Sequence, residues 1–116
     1  MSMPPEILNA LLDSLVEPVL FVDNQHVVRY LNRAAASHYR GGYDLLGSSI
    51  FDCHNAASNE VIRQIHGEMQ AGAIEERKII DNAKHVVFMR AVRDPQGQLL
   101  GYYERYERPG SENPST

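Results

Sequence analysis

The chain reads as an α+β domain in which an antiparallel sheet carries helices packed on one face. Three observations predict it. Apolar and alternating runs of strand length fall in two groups, one over residues 19–31 and one over residues 74–106. Helix-forming segments precede and separate those groups, and the links inside each group are short enough for hairpins, which pair strands antiparallel. The 116 residues, 43% hydrophobic and 22% charged, are enough for one domain to bury one core without disulfides or metals.

Pro4 and Pro5 suit the first turn of a helix, where a missing N–H costs nothing. Ile7, Leu8, Leu11, Leu12 and Leu15 follow at helical spacing as one apolar stripe, so a helix runs from about Pro5 to Val16 and Pro18 ends it. Val19 to Asp23 is a strand, Asp23 to Gln25 a turn and Val27 to Leu31 a second strand, together a hairpin. Asn32 is placed to cap a helix over Arg33 to Arg40, which Ala34, Ala35 and Ala36 favour and Gly41 and Gly42 stop. Tyr43 to Leu46 allows one more helical turn, and Ser48 to Asn55 reads as loop or short turn.

The stretch from Gly47 to Gly72 holds the only cysteine, Cys53, and two of the five histidines, His54 and His66. A helix from about Ala56 to Ala71 puts Val61, Ile62, Ile65 and Met69 on one face, with His66 at its edge. Three strands follow, Ile74 to Ile80, Lys84 to Arg93 and Leu99 to Tyr106. Asp94-Pro95-Gln96-Gly97 has the chemistry of a type I turn between the last two. Tyr102 and Tyr106 share one face of the last strand and Tyr103 takes the other. Arg90 shares a strand face with Phe88 and Val92, where it pairs with a carboxylate or anchors an anionic ligand.

Composition narrows the function. Net charge is −4 with no basic stripe, which argues against nucleic acid as a partner. The apolar runs are far shorter than the ~20 residues that span a bilayer, and no basic-then-apolar leader opens the chain, so no membrane partner is expected. One cysteine excludes an intramolecular disulfide and zinc sites built from cysteine pairs, and it fits a cytoplasmic setting. Cys53 and His54 are adjacent, so their side chains diverge. The carboxylates are scattered and no phosphate-binding loop is present, so the chain is not expected to be an enzyme. Pro109 to Thr116 reads as a flexible tail or linker.

Four segments resemble a PAS domain, the sensor module of many bacterial signalling proteins. Pro18-Val-Leu-Phe-Val-Asp23 resembles its first strand. Val27-Val-Arg-Tyr-Leu-Asn32-Arg-Ala-Ala35 resembles the second strand running into the asparagine-capped helix. Leu46-Gly-Ser-Ser-Ile-Phe51 resembles the loop before the long helix, and Asp94-Pro-Gln-Gly-Gln-Leu-Leu-Gly101-Tyr102 the last hairpin. The resemblance spans about Leu15 to Tyr106. It implies a five-stranded sheet in the order 2-1-5-4-3, with helices enclosing a ligand cavity. The chain then divides into an N-terminal amphipathic helix over residues 1–16, a PAS domain over 17–108 and a tail over 109–116.

Asp52-Cys53-His54 before the long helix is similar to a Cys-His-centred variant of the PAS loop, with Asn55 where that variant often carries proline. The Asn-Cys-Arg-Phe-Leu signature of flavin photosensors is missing, so Cys53 is not a flavin-adduct cysteine. There is no Cys-x-x-Cys-His for covalent haem attachment. The candidate ligand contacts are His54, Cys53, Ile62, Ile65, His66, Met69 and Arg90. Cys53 also reads as a small buried hydrophobe. The resemblance implies a sensory signalling module that dimerises, through Ile7, Leu8, Leu11, Leu12 and Leu15, and passes its signal to an output domain or partner outside this chain. The alternative is a haem- or metal-binding redox or gas sensor with His54 as ligand, since neutral imidazole is the commonest metal donor.

Overall fold

A computed structural model of the chain describes residues 3–53, 55–107 and 109. Apart from Pro109, the expected tail lies outside them. So does His54. In chain order the elements are α1 (Pro5–Asp13), β1 (Leu20–Asp23), β2 (Val28–Leu31), α2 (Arg33–His38), short 3-10 turns at Gly42–Leu45 and Ile50–Cys53, α3 (Ala56–Gln70), β3 (Glu76–Asp81), β4 (Val86–Arg93) and β5 (Leu99–Glu107). All neighbouring strands are antiparallel, and the sheet order is β2-β1-β5-β4-β3. This is the α+β architecture expected.

Register sorts the side chains into two faces. The inner face carries Leu20 opposite Leu31 and Glu104, Val22 opposite Tyr102, and Met89 and Val87 opposite Glu104 and Tyr106. Leu20, Val22, Val28, Leu31, Val87, Met89 and Tyr102 are buried there against Ala35 of α2 and Ile62, Ile65 and Met69 of α3. The outer face carries Phe21, Tyr30, Phe88, Arg90, Tyr103 and Arg105.

Asn32, wholly buried, organises the first third of the chain. Its Oδ1 accepts from the N–H of Ala35, capping α2, and from that of Val19, fixing the start of β1 (both 2.9 Å). Its Nδ2 donates to the carbonyls of Leu12 (2.9 Å) and Glu17 (3.2 Å). This explains why α1 stops at Asp13 rather than Val16. The Ser14 hydroxyl takes the Leu11 carbonyl and Asn32 takes that of Leu12, so the last helical acceptors are already satisfied. Leu15 therefore lies beyond the helix instead of on its stripe.

Two turns set the strands beside the site. Asp23 Oδ1 accepts from the N–H groups of Gln25 and Val27 and holds His26 at φ 66°. The Asp94–Gly97 turn forms as expected, with Gly97 N–H bonded to the Asp94 carbonyl and Gly97 at φ 85°. After α2, the loop to Ile50 runs along β2. Gly47 donates to Val28, Val28 to Ser48 and Ile50 to His26, which lays Ile50 against the inner face.

Candidate functional site

Alternation along β5 puts Tyr102, Glu104 and Tyr106 on the inner face. Above the last two the packing is incomplete. A cavity of about 420 Å³ opens there, lined by Leu20 of β1, Tyr39 and Arg40 at the end of α2, Leu45 and Ile50 of the 3-10 turns, Ile80 of β3, and Glu104 and Tyr106 of β5. The α2 helix ends as Tyr39 turns to extended backbone, ψ 139°, before Gly41 takes φ 95°. That exit swings the Tyr39 ring over the sheet.

The Tyr39 hydroxyl lies 2.5 Å from both Glu104 Oε2 and the Tyr106 hydroxyl, and Tyr106 lies 3.2 Å from the same carboxylate oxygen. Burial first, and then the charge on Glu104, push both tyrosine hydroxyls well up, so both stay protonated and serve as donors. The Tyr39 and Tyr106 rings meet at 67°, with centroids 6.5 Å apart. His38 and His85 pack edge-on against Tyr106.

A second polar cluster lies at the other end of the inner face. His26 Nδ1 bonds the Tyr102 hydroxyl at 2.8 Å, and His66 Nε2 bonds Asn24 Oδ1 at 3.0 Å. Asn24 in turn donates to the Leu99 carbonyl at 2.7 Å. The two imidazoles sit edge to face at 4.6 Å. Burial lowers both histidines below their ordinary value, and at His26 the charges of His66 and Arg63 lower it further. Through His66 the cluster ties α3 to the turn after β1, and through Asn24 and His26 it ties that turn to β5.

The residues singled out from sequence divide among these places. Ile62, Ile65 and Met69 are core, exposed by 8% or less, and none of them lines the cavity. His66 turns inward and is buried, whereas Val61, assigned to the same face, is half exposed. Positions 62, 65, 66 and 69 are the set that shares an i, i+3, i+4, i+7 stripe, and Asn24 gives His66 the partner that makes its burial cheap. Cys53 ends the second 3-10 turn, beside the undescribed His54. Arg90 lies on the outer face, exposed, 3.4 Å from Glu76, so it makes the ion pair rather than facing the cavity. Ile7, Leu8, Leu11 and Leu15 remain exposed. Among the described residues, no three His, Cys, Asp or Glu side chains form a metal-holding group. The cavity walls Tyr39, Arg40, Leu45, Ile50, Ile80 and Glu104 were not foreseen. The alternation that put Tyr102 and Tyr106 on one face puts Glu104 on it too, and in the structure that face is the inner one.

Comparison with known proteins agrees with the fold. The family model described as PAS domain matches residues 8–107. The chain belongs to the PAS domain family. PAS domains are sensory modules, and the sheet order is the one the family resemblance implied. A C-terminal domain from Streptococcus mutans is similar at TM-score 0.77 and 20% identity, over 94% of this chain and 87% of that one. A sensory box sensor histidine kinase from Vibrio cholerae is similar at TM-score 0.56 and 14% identity, over 87% and 88% of the two chains. The Aer2 receptor of Vibrio cholerae, described as a dual PAS-heme oxygen sensor, is similar at TM-score 0.55 and 14% identity, over 77% and 90%. No curated protein matches the chain by sequence. No described helix is long and apolar enough to cross a membrane.

Proposed function

We propose that this PAS domain is a non-enzymatic sensory module that receives a small ligand in the cavity over Leu20, Glu104 and Ile80 and signals through a homodimer to an output domain or partner. The cavity carries the reading. At about 420 Å³ it falls within the usual range for small-molecule sites, with mostly apolar walls and a few convergent polar groups. A thermal-shift panel of small metabolites on the wild type and on Leu45→Trp, which fills the cavity, tests it. At least one chemical class should raise the Tm of the wild type and leave the variant unmoved. Stabilisation of neither protein, or of both equally, counts against the cavity.

Dimerisation has its own support. Leu12 and Leu15 border a shallow apolar groove with Val19, Phe21, Tyr30, Val92 and Tyr103 on the outer sheet face, and Ile7, Leu8 and Leu11 continue it in the open. A second copy laid along α1 would cover both, and Leu11→Asp should then shift sedimentation toward monomer. A monomer at high micromolar wild-type concentration rejects this part. The alternative of a haem on His54 meets an obstacle at α3. Its apolar face is closed against the sheet by Ile62, Ile65 and Met69, so a porphyrin there would have to displace core side chains. A Soret band on adding hemin, lost in His54→Ala, would revive that alternative.

A further inference from the structure

Among the described residues of the strands, Glu104 is the one carboxylate without a Lys or Arg partner. Asp23 pairs with Arg29, Glu76 and Glu107 with Arg105, and Asp81 with Lys78. Glu104 instead holds only the hydroxyls of Tyr39 and Tyr106. It does so on the inner face, between Leu20 and Met89 in register, where alternation would otherwise put an apolar side chain. Glu104 is half-buried, and a carboxylate that lines a cavity with no counter-charge of its own offers a charge-assisted hydrogen bond to a bound cation.

We infer that the cavity takes a small aliphatic ligand bearing a protonated amine, with the amine at Glu104. This rests on the cavity being the ligand site and names the chemistry it selects. The ammonium would meet the Glu104 carboxylate between two tyrosine rings set at 67°, an arrangement whose π-faces also favour cations. The aliphatic body would lie on Leu20, Leu45, Ile50 and Ile80. A carboxylate in the amine's place would face Glu104 as a like charge. Arg40 lines the same cavity from its exposed side and makes no ion pair with a described residue. The shared chemistry therefore has two sources, a free aliphatic amine or an aliphatic amino acid whose carboxylate reaches Arg40.

Calorimetric titration of the full chain with four probes on related branched skeletons tests the inference: isoamylamine, L-leucine, isoamyl alcohol and 4-methylpentanoate. At least one of the two amines should bind about tenfold or more tighter than the alcohol and the acid, the scale of one charge-assisted hydrogen bond. Glu104→Gln should erase that preference while leaving the alcohol unchanged. Leucine weakened by Arg40→Gln identifies the amino acid as the source, and isoamylamine matching leucine identifies the free amine. Alcohol or acid binding as tightly as both amines in the wild type overturns the inference without any variant and leaves the cavity as a ligand site. Binding by none of the four also overturns it, and the broader reading is then decided by the Leu45→Trp comparison.

Discussion

Tyr39 and Glu104 lie 65 residues apart in the chain and are joined by a hydrogen bond of 2.5 Å that ties the end of α2 to the middle of β5. The bond fits the short range of hydroxyl–carboxylate contacts. It satisfies one oxygen of a carboxylate that packing alone would not place there. Tyr39→Phe removes that donor and should cost about 0.5–1.5 kcal/mol, the net worth of one hydrogen bond to a half-buried group. Glu104→Leu should cost less or even stabilise, because the Tyr39 and Tyr106 hydroxyls still bond each other and an apolar side chain suits the inner face. Urea unfolding measures both. The opposite order, with Glu104→Leu the more damaging, would make the carboxylate structural.

Gly101 sits on β5 where the backbone of β1 leaves no room for a side chain. A Cβ built there would stand 2.1 Å from the Val22 carbonyl oxygen and 2.9 Å from the Asp23 Cα, both backbone atoms that cannot swing aside. Gly101→Ala must therefore push β1 and β5 apart at the Asp23–Gly101 pair, and a loss of roughly 2–4 kcal/mol is expected, at the upper end for point substitutions. Thermal unfolding checks this. Gly97→Ala at φ 85°, where a Cβ meets nothing, should cost less, through backbone conformation alone. Equal losses at the two positions would contradict the close approach.

Acid should loosen the junction of α3 with the sheet. Half-buried His26 and buried His66 hold folded values below the ordinary histidine value, so the unfolded chain binds protons more tightly than the folded one. Stability is then full above about pH 6.5 and falls as the pH drops from there through the folded values. Asp23, Glu75 and Glu76 also titrate low when folded, so their contribution is lost only further down, from below their ordinary carboxylate values. A Tm series from pH 7.5 to 5 should decline in the wild type and flatten in His66→Gln. A flat wild-type series would show that these histidines accept protons without cost.

The sheet was legible because its signals are local. Alternation over β5, the Asp-Pro-Gln-Gly turn and the Asn32 cap each depend on residues within a few positions of one another. The cavity was not legible because its contacts are distant. A glutamate on a strand is assigned to solvent unless a partner is known, and the partner of Glu104 comes from α2. On α3, hydrophobicity ranked Val61 above His66, but the stripe through Ile62, Ile65 and Met69 carries His66, and the partner that makes its burial cheap, Asn24, lies 42 residues away in the turn after β1. The end of α1 follows the same rule, since Asn32 sits 20 residues beyond the Leu12 carbonyl it takes.

The central claim is that ligand enters over Leu20, Glu104 and Ile80 rather than along the face of α3. Isoleucine methyls report on both places at once, since Ile50 and Ile80 line the cavity while Ile62 and Ile65 pack under α3. In a methyl-labelled sample titrated with a metabolite that raises the wild-type Tm, the Ile50 and Ile80 resonances should shift saturably, with Ile62 and Ile65 moving little and exposed Ile7 not at all. Shifts led by Ile62 and Ile65, or no shift in any isoleucine methyl, would contradict the account.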